Sequence, residues 1–165
     1  MNYLPPLSVI FVWHPANATE ISPIVNYCFS LLSRDINKPF SRSMNLPVFF
    51  RTTSKKGVPA AIDISSNKTV IFIFATKQMV ADDYWMDYIK DIPKGENVNI
   101  IPIAMDDKVF ALNDILISMN FIRAYAFESA FLNELLFIAI AHEIYRYALN
   151  ESLGKTELGK ESALK

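Results

Sequence analysis

The chain has 165 residues, 52% of them hydrophobic, with 16 basic against 17 acidic side chains and a formal net charge of −1. That is enough apolar material for one ordinary core, and the dispersed charges form no basic stripe for tracking phosphates, which argues against nucleic acid as a partner. A single cysteine, Cys28, cannot make an internal disulfide, and no basic, apolar and small-residue leader opens the chain, so a cytoplasmic, unsecreted protein is expected.

Short apolar runs alternate with helical periodicity along the chain, the pattern of parallel strands joined by helices. Leu7 to Trp13 reads as the first strand, ended by His14-Pro15. A helix is predicted to follow to about Arg34, with Ser22 as N-cap and Pro23 at its first position, because proline fits where no N–H is needed. Its apolar positions Ile24, Val25, Cys28, Leu31 and Leu32 recur at three and four and form a sheet-facing stripe. Leu46 to Arg51 is the second strand, and a polar loop over 52–59 leads into a short helix or irregular segment around Ile62 to Ser65.

The run Thr69-Val-Ile-Phe-Ile-Phe-Ala-Thr76 has no polar interruption, as expected of a strand buried on both faces. Open sheets of this kind bind ligands at the carboxyl ends of their strands, so the end of this run is the expected mouth of a site. An acidic and aromatic helix follows from about Asp82 to Ile92 and stops at Pro93-Lys94-Gly95. Asn99 to Ala104 is the fourth strand, closed by turn and cap residues Asp106 and Asp107. A weak segment at 110–118, a fifth strand at Asn120 to Tyr125 and a long helix from Glu128 to about Asn150 complete the unit. The expected fold is therefore a flavodoxin-like, doubly wound parallel five-stranded sheet over 1–150, with 151–165 a polar linker or tail that can lead to a further domain. The apolar stretch from Phe131 to Leu149 contains Glu134, His142, Glu143 and Arg146, which marks it as a packed helix and not a membrane span.

Several chemistries are unsupported. With only four glycines there is no Gly-x-Gly-x-x-Gly turn, no P-loop and no Gly-x-Ser-x-Gly elbow. Trp13-His14 and Ala75-Thr76 stand where a phosphoacceptor receiver needs acidic residues. His142-Glu143-Ile-Tyr-Arg146 departs from the His-Glu-x-x-His zinc motif, since arginine cannot ligate a metal, so no metal or resident cofactor is expected.

Three features together resemble a Toll/interleukin-1 receptor (TIR) domain of the bacterial type: a first strand Val9-Ile-Phe-Val-Trp-His14, a polar loop after the second strand at 52–59, and the apolar third strand with its acidic-aromatic helix. The resemblance covers about residues 7–150. It implies a defence or signalling module that self-associates or pairs with another TIR domain, and an NAD-hydrolysing or NAD-cyclising activity in which NAD is substrate. The catalytic members of that family carry a glutamate on the helix after the third strand. Counting twelve residues from Ala75 reaches Asp87, while counting four from Trp85 reaches Ile89.

On that resemblance Asp87 and Asp83, four apart on one helical face, are the candidate catalytic carboxylates, positioned to stabilise an oxocarbenium-like ribosyl state or orient the ribose hydroxyls. His14, Arg51 and Trp85 are the candidate nucleotide contacts. Each has a structural alternative: His14 as a capped strand-end residue, Arg51 as the ion-pair partner of an acidic neighbour such as Asp83, and Trp85 as core. A non-catalytic module that self-associates or binds a nucleotide signal is the second reading.

Overall fold

A computed structural model of the chain describes residues 6–33, 46–52, 57–62, 68–109 and 121–154, with side chains through Leu149 in the last of these. Five parallel strands form one sheet in the order β2-β1-β3-β4-β5. They are β1 (Ser8–Trp13), β2 (Val48–Arg51), β3 (Thr69–Ala75), β4 (Val98–Ala104) and β5 (Ile122–Arg123). The helices are α1 (Ala18–Leu32), α2 (Lys77–Val80), α3 (Asp83–Lys90) and α4 (Leu132–Gly154). The flavodoxin-like doubly wound architecture expected from the sequence is the one observed.

The apolar run of β3 explains the layering. Successive side chains on a strand point to opposite faces, and every residue of β3 is buried. Val70, Phe72 and Phe74 pack with Val9, Phe11 and Trp13 of β1 under α1 and α4, where Ile21, Ile24, Val25, Cys28, Leu136, Ile140 and Ile144 close the layer. Ile71 and Ile73 point the other way, joining Ile10 and Val12 against Met79, Trp85, Met86 and Ile89 of α2 and α3. Fully burying each of these large side chains contributes roughly 1.5–3 kcal/mol, so β3 is the strand whose loss the fold would tolerate least. Pro102, which has no N–H to give a ladder, sits in β4 just before the point where β5 begins to pair at Ile103.

Four boundaries differ from the sequence reading. Helix α1 begins at Ala18, directly after a 3-10 turn at Pro15–Asn17, so Ser22 is not its cap and Pro23 lies inside it. Pro23 is exposed, and on the solvent side the carbonyl it leaves unpaired can bond water, which lowers the usual cost of an interior proline. The helix expected over 82–92 is α3, capped by Asp82, and ahead of it stands a short helix the sequence reading did not include, α2, started where the Thr76 hydroxyl accepts from Met79 N. The fifth strand is only two residues long, and the last helix starts at Leu132 after a 3-10 turn at Ser129–Phe131. It continues past Asn150 to Gly154, so the expected linker begins as helix. The segments 63–65, 110–118 and 155–165, and residues 53–56 of the loop over 52–59, lie outside the described residues.

Candidate functional site

In the order β2-β1-β3-β4-β5 the chain reverses direction across the sheet between β1 and β3, and the crevice at such a switch point is where open α/β sheets take ligands. Here it is a cavity of about 250 Å3 lined by Asn17, Glu20, Thr76, Lys77, Gln78, Met105 and Asp106. These residues come from the turns after β1, β3 and β4. A hydrogen-bonded latch ties the first two turns together. The buried Thr76 hydroxyl donates to Asn17 Oδ1 at 2.7 Å, and Asn17 Nδ2 donates to Gln78 Oε1 at 3.2 Å.

The third turn is joined by charge. Lys77 Nζ lies 3.2 Å from Asp106 Oδ2, and Asp106 Oδ1 accepts from Lys108 N at 2.8 Å, as expected of a turn aspartate. The Asp106 carboxyl is held below its ordinary range, chiefly by that backbone N–H, with Lys77 assisting. Lysine against two carboxylates, Glu20 and Asp106, leaves the rim with a net acidic character. The remaining lining is amide, hydroxyl and thioether.

Beside the crevice a second cluster joins β1 to α3. Ala16 N donates to His14 Nδ1 at 3.1 Å, so the ring proton sits on Nε2, which donates to Asp82 Oδ2 at 3.0 Å. The other oxygen of Asp82 accepts from Tyr84 N and Trp85 N at 3.1 and 3.4 Å and caps α3. The Asp82 carboxyl is lowered, first by the His14 hydrogen bond and then, against some desolvation, by the Trp85 and Tyr84 N–H groups. The His14 ring lies 5.3 Å from that of Trp85.

Of the residues singled out from the sequence, the structure brings His14 and Trp85 together. Trp85 is core, 1% exposed, with its indole Nε1 donating to Gly57 O at 2.9 Å. Asp83 and Asp87 do share a face of α3, but it is the solvent face, and neither lines the crevice. The reason is helical phase: Trp85 and Ile89 point inward, so residues 83 and 87 must point outward. Ile89, reached by the alternative count, is buried and has no carboxylate. Arg51 does not pair with Asp83; its Nη1 donates to Phe50 O at 3.0 Å, and its charge acts on Tyr88. Burial pushes the Tyr88 hydroxyl up to about 12 despite Arg51, and that hydroxyl donates to Ala60 O at 2.8 Å.

The sequence reading missed Asp82, Asn17, Glu20, Lys77 and Gln78. For Asp82 the signal was present, since an aspartate three residues before the apolar i, i+4 pair Trp85 and Ile89 is a favoured N-cap. The crevice residues carry no local signal. Among the described residues no group of three or more His, Cys, Asp or Glu is placed to hold a metal ion, and no helix is long and apolar enough to cross a membrane. Comparison with protein-family models, with curated proteins and with solved structures gives no match to this chain.

Proposed function

We propose that this chain is a TIR-like binding module that takes the ribosyl part of a nucleotide such as NAD or ADP-ribose at the switch-point crevice, without cleaving it through Asp83 or Asp87. The observation that carries the reading is the separation of the two: the crevice is built by Asn17, Thr76, Gln78, Lys77 and Asp106, while both candidate carboxylates face solvent on α3. A carboxylate displaced by even about an ångström from a reacting centre can cost on the order of a hundredfold in rate.

The ligand class follows from the lining. Carboxylates accept hydrogen bonds from sugar hydroxyls, the role acidic residues play toward ribose in other doubly wound sheets, and Glu20 and Asp106 supply two of them. Asn17 and Gln78 add amides suited to hydroxyls or a carboxamide. At about 250 Å3 the crevice falls just below the roughly 300–1,000 Å3 of small-molecule sites, a size for one end of a dinucleotide. The cytoplasmic setting and the defence role implied by the TIR resemblance belong to this proposal, as does pairing with a second TIR domain.

The test is calorimetric titration of the whole protein with NAD, ADP-ribose and nicotinamide riboside, with nicotinamide release followed in the same samples. Saturable binding weakened by Glu20→Gln and Gln78→Ala, with no release, is the expected result. Nicotinamide release that disappears in Asp87→Ala or Asp83→Ala would replace this reading with the enzymatic one.

A further inference from the structure

His14 does not line the crevice, yet it holds the turn that does. It caps the 3-10 turn Pro15–Asn17. Pro15 has no N–H, and the next two donors of the turn both end on His14: Ala16 N on its ring Nδ1 at 3.1 Å, and Asn17 N on its carbonyl at 3.0 Å. Asn17 is buried at the end of that turn. Its side chain gives α1 no cap, because both ends of its amide are engaged in the latch to Thr76 and Gln78.

The bond from Ala16 exists only while Nδ1 keeps its lone pair. A neutral imidazole has one donor and one acceptor nitrogen, whereas an imidazolium has two donors. Nε2 already carries the proton donated to Asp82 Oδ2 at 3.0 Å, so a second proton must go to Nδ1, where it meets the Ala16 N–H head on. We infer that His14 is a pH-dependent positioning residue for the crevice: a proton taken up on Nδ1 breaks the Ala16 bond, draws the ring toward Asp82 and loosens the hold on Asn17. The effect on Asn17 follows from the turn alone, and the effect on a ligand rests on the proposed function of the crevice.

Both edges of the ring push the same way. An imidazolium holds a carboxylate more strongly than a neutral ring does, since both partners are then charged, while its other edge repels the turn. Asp82 stays ionised where imidazole titrates, its carboxyl being held low chiefly by the His14 hydrogen bond. Ala16 is exposed, so its released N–H can turn to water.

The remaining charges nearby come from three other elements. Arg51 of β2 is the register partner of Val12 and so shares a sheet face with His14, where it opposes the second proton; its Nη1 is turned to Phe50 O. Glu20 of α1 and Lys77 of α2 line the crevice beside Asn17, with Lys77 offset by Asp106 at 3.2 Å. Asp83 and Asp87 face solvent on α3, and Trp85, whose ring lies 5.3 Å from that of His14, is uncharged. Among these groups it is Asp82 that bonds the ring.

The experiment is NMR of the whole protein from about pH 8 to about pH 5, the range in which imidazole changes charge, following the His14 ring, the Ala16 amide and the Asn17 side-chain amide. The control is His14→Asn, whose side chain accepts from the N–H two residues on and does not titrate. In wild type the three signals should move with one midpoint, and exchange of the Ala16 amide, corrected for its intrinsic rate, should rise at least about threefold below it, as expected for loss of one hydrogen bond. In His14→Asn the Ala16 and Asn17 signals should stay fixed. In Asp82→Asn, which keeps the α3 cap, all three should shift together to lower pH, because the charge that favours the imidazolium is gone. An Asn17 amide that stays still while His14 titrates, equal movement in His14→Asn, separate midpoints in Asp82→Asn, or no titration of His14 in this range would overturn the inference. Calorimetric titration with NAD at the two ends of the range should show weaker binding in acid for wild type and not for His14→Asn; an equal loss in both would overturn the link to the ligand. Absence of NAD binding at either pH would refute the crevice reading while the NMR signals still decide the role of His14, so the two failures are separately visible.

Discussion

Asp82 is the residue whose replacement tests the local construction most sharply. One oxygen caps α3 through Tyr84 N and Trp85 N, and the other receives the His14 proton at 3.0 Å. Losing an N-cap aspartate to alanine costs about 1 kcal/mol. The His14 hydrogen bond, with the two side chains 14% and 33% exposed, adds about 0.5–1 kcal/mol at that degree of solvent screening. Asp82→Ala should therefore destabilise by about 2 kcal/mol, a fall in Tm of roughly 4–8 °C for a chain of this size. Asp82→Asn keeps the cap and should lose less than half as much. The two variants also differ in pH behaviour. Because the folded-state carboxyl titrates below its ordinary value, its stabilisation is complete above about pH 4 and is lost as pH falls through the folded value. Wild type should thus exceed Asp82→Asn at neutral pH and converge with it in acid. Urea melts at several pH values measure this, and an Asp82→Ala variant as stable as wild type would refute the cap-and-latch description.

Other consequences are as direct. Asp83→Ala and Asp87→Ala, exposed on α3, should each leave stability within about 0.5 kcal/mol in the same melts. Thr76→Val strips a buried hydroxyl that donates to Asn17 and accepts from Met79 N; with both partners left unpaired, the loss should be about 2–3 kcal/mol, read by thermal unfolding. Cys28 is fully buried in α1 and its thiol is pushed up to about 12 by desolvation. It should resist thiol reagents in the native state and react once on unfolding. Since its folded value is the higher one, its contribution to stability is intact below the ordinary thiol range and declines as pH rises above it.

The sheet was legible because β3 is written without ambiguity. Seven consecutive buried residues from Thr69 to Ala75 leave no room for a one-sided strand, and the alternation with helices then specifies parallel neighbours. The start of α1 was not legible, because Pro23 obeys the rule for a first helical residue yet sits on a face where its missing N–H costs little. That a crevice opens at the end of β3 could be read; its lining could not. Asn17 and Thr76 meet through the sheet order alone, and so do Lys77 and Asp106. Between two adjacent aspartates, composition did not say that Asp82 turns inward while Asp83 turns out; the inward phase of Trp85 and Ile89 does.

The central claim is that the crevice binds a ribosyl group and that α3 performs no cleavage. It is tested most directly by titrating the whole protein with NAD while nicotinamide is quantified. The account predicts saturable heat, diminished in Glu20→Gln, and intact NAD at the end; nicotinamide that accumulates in wild type and not in Asp87→Ala would contradict it.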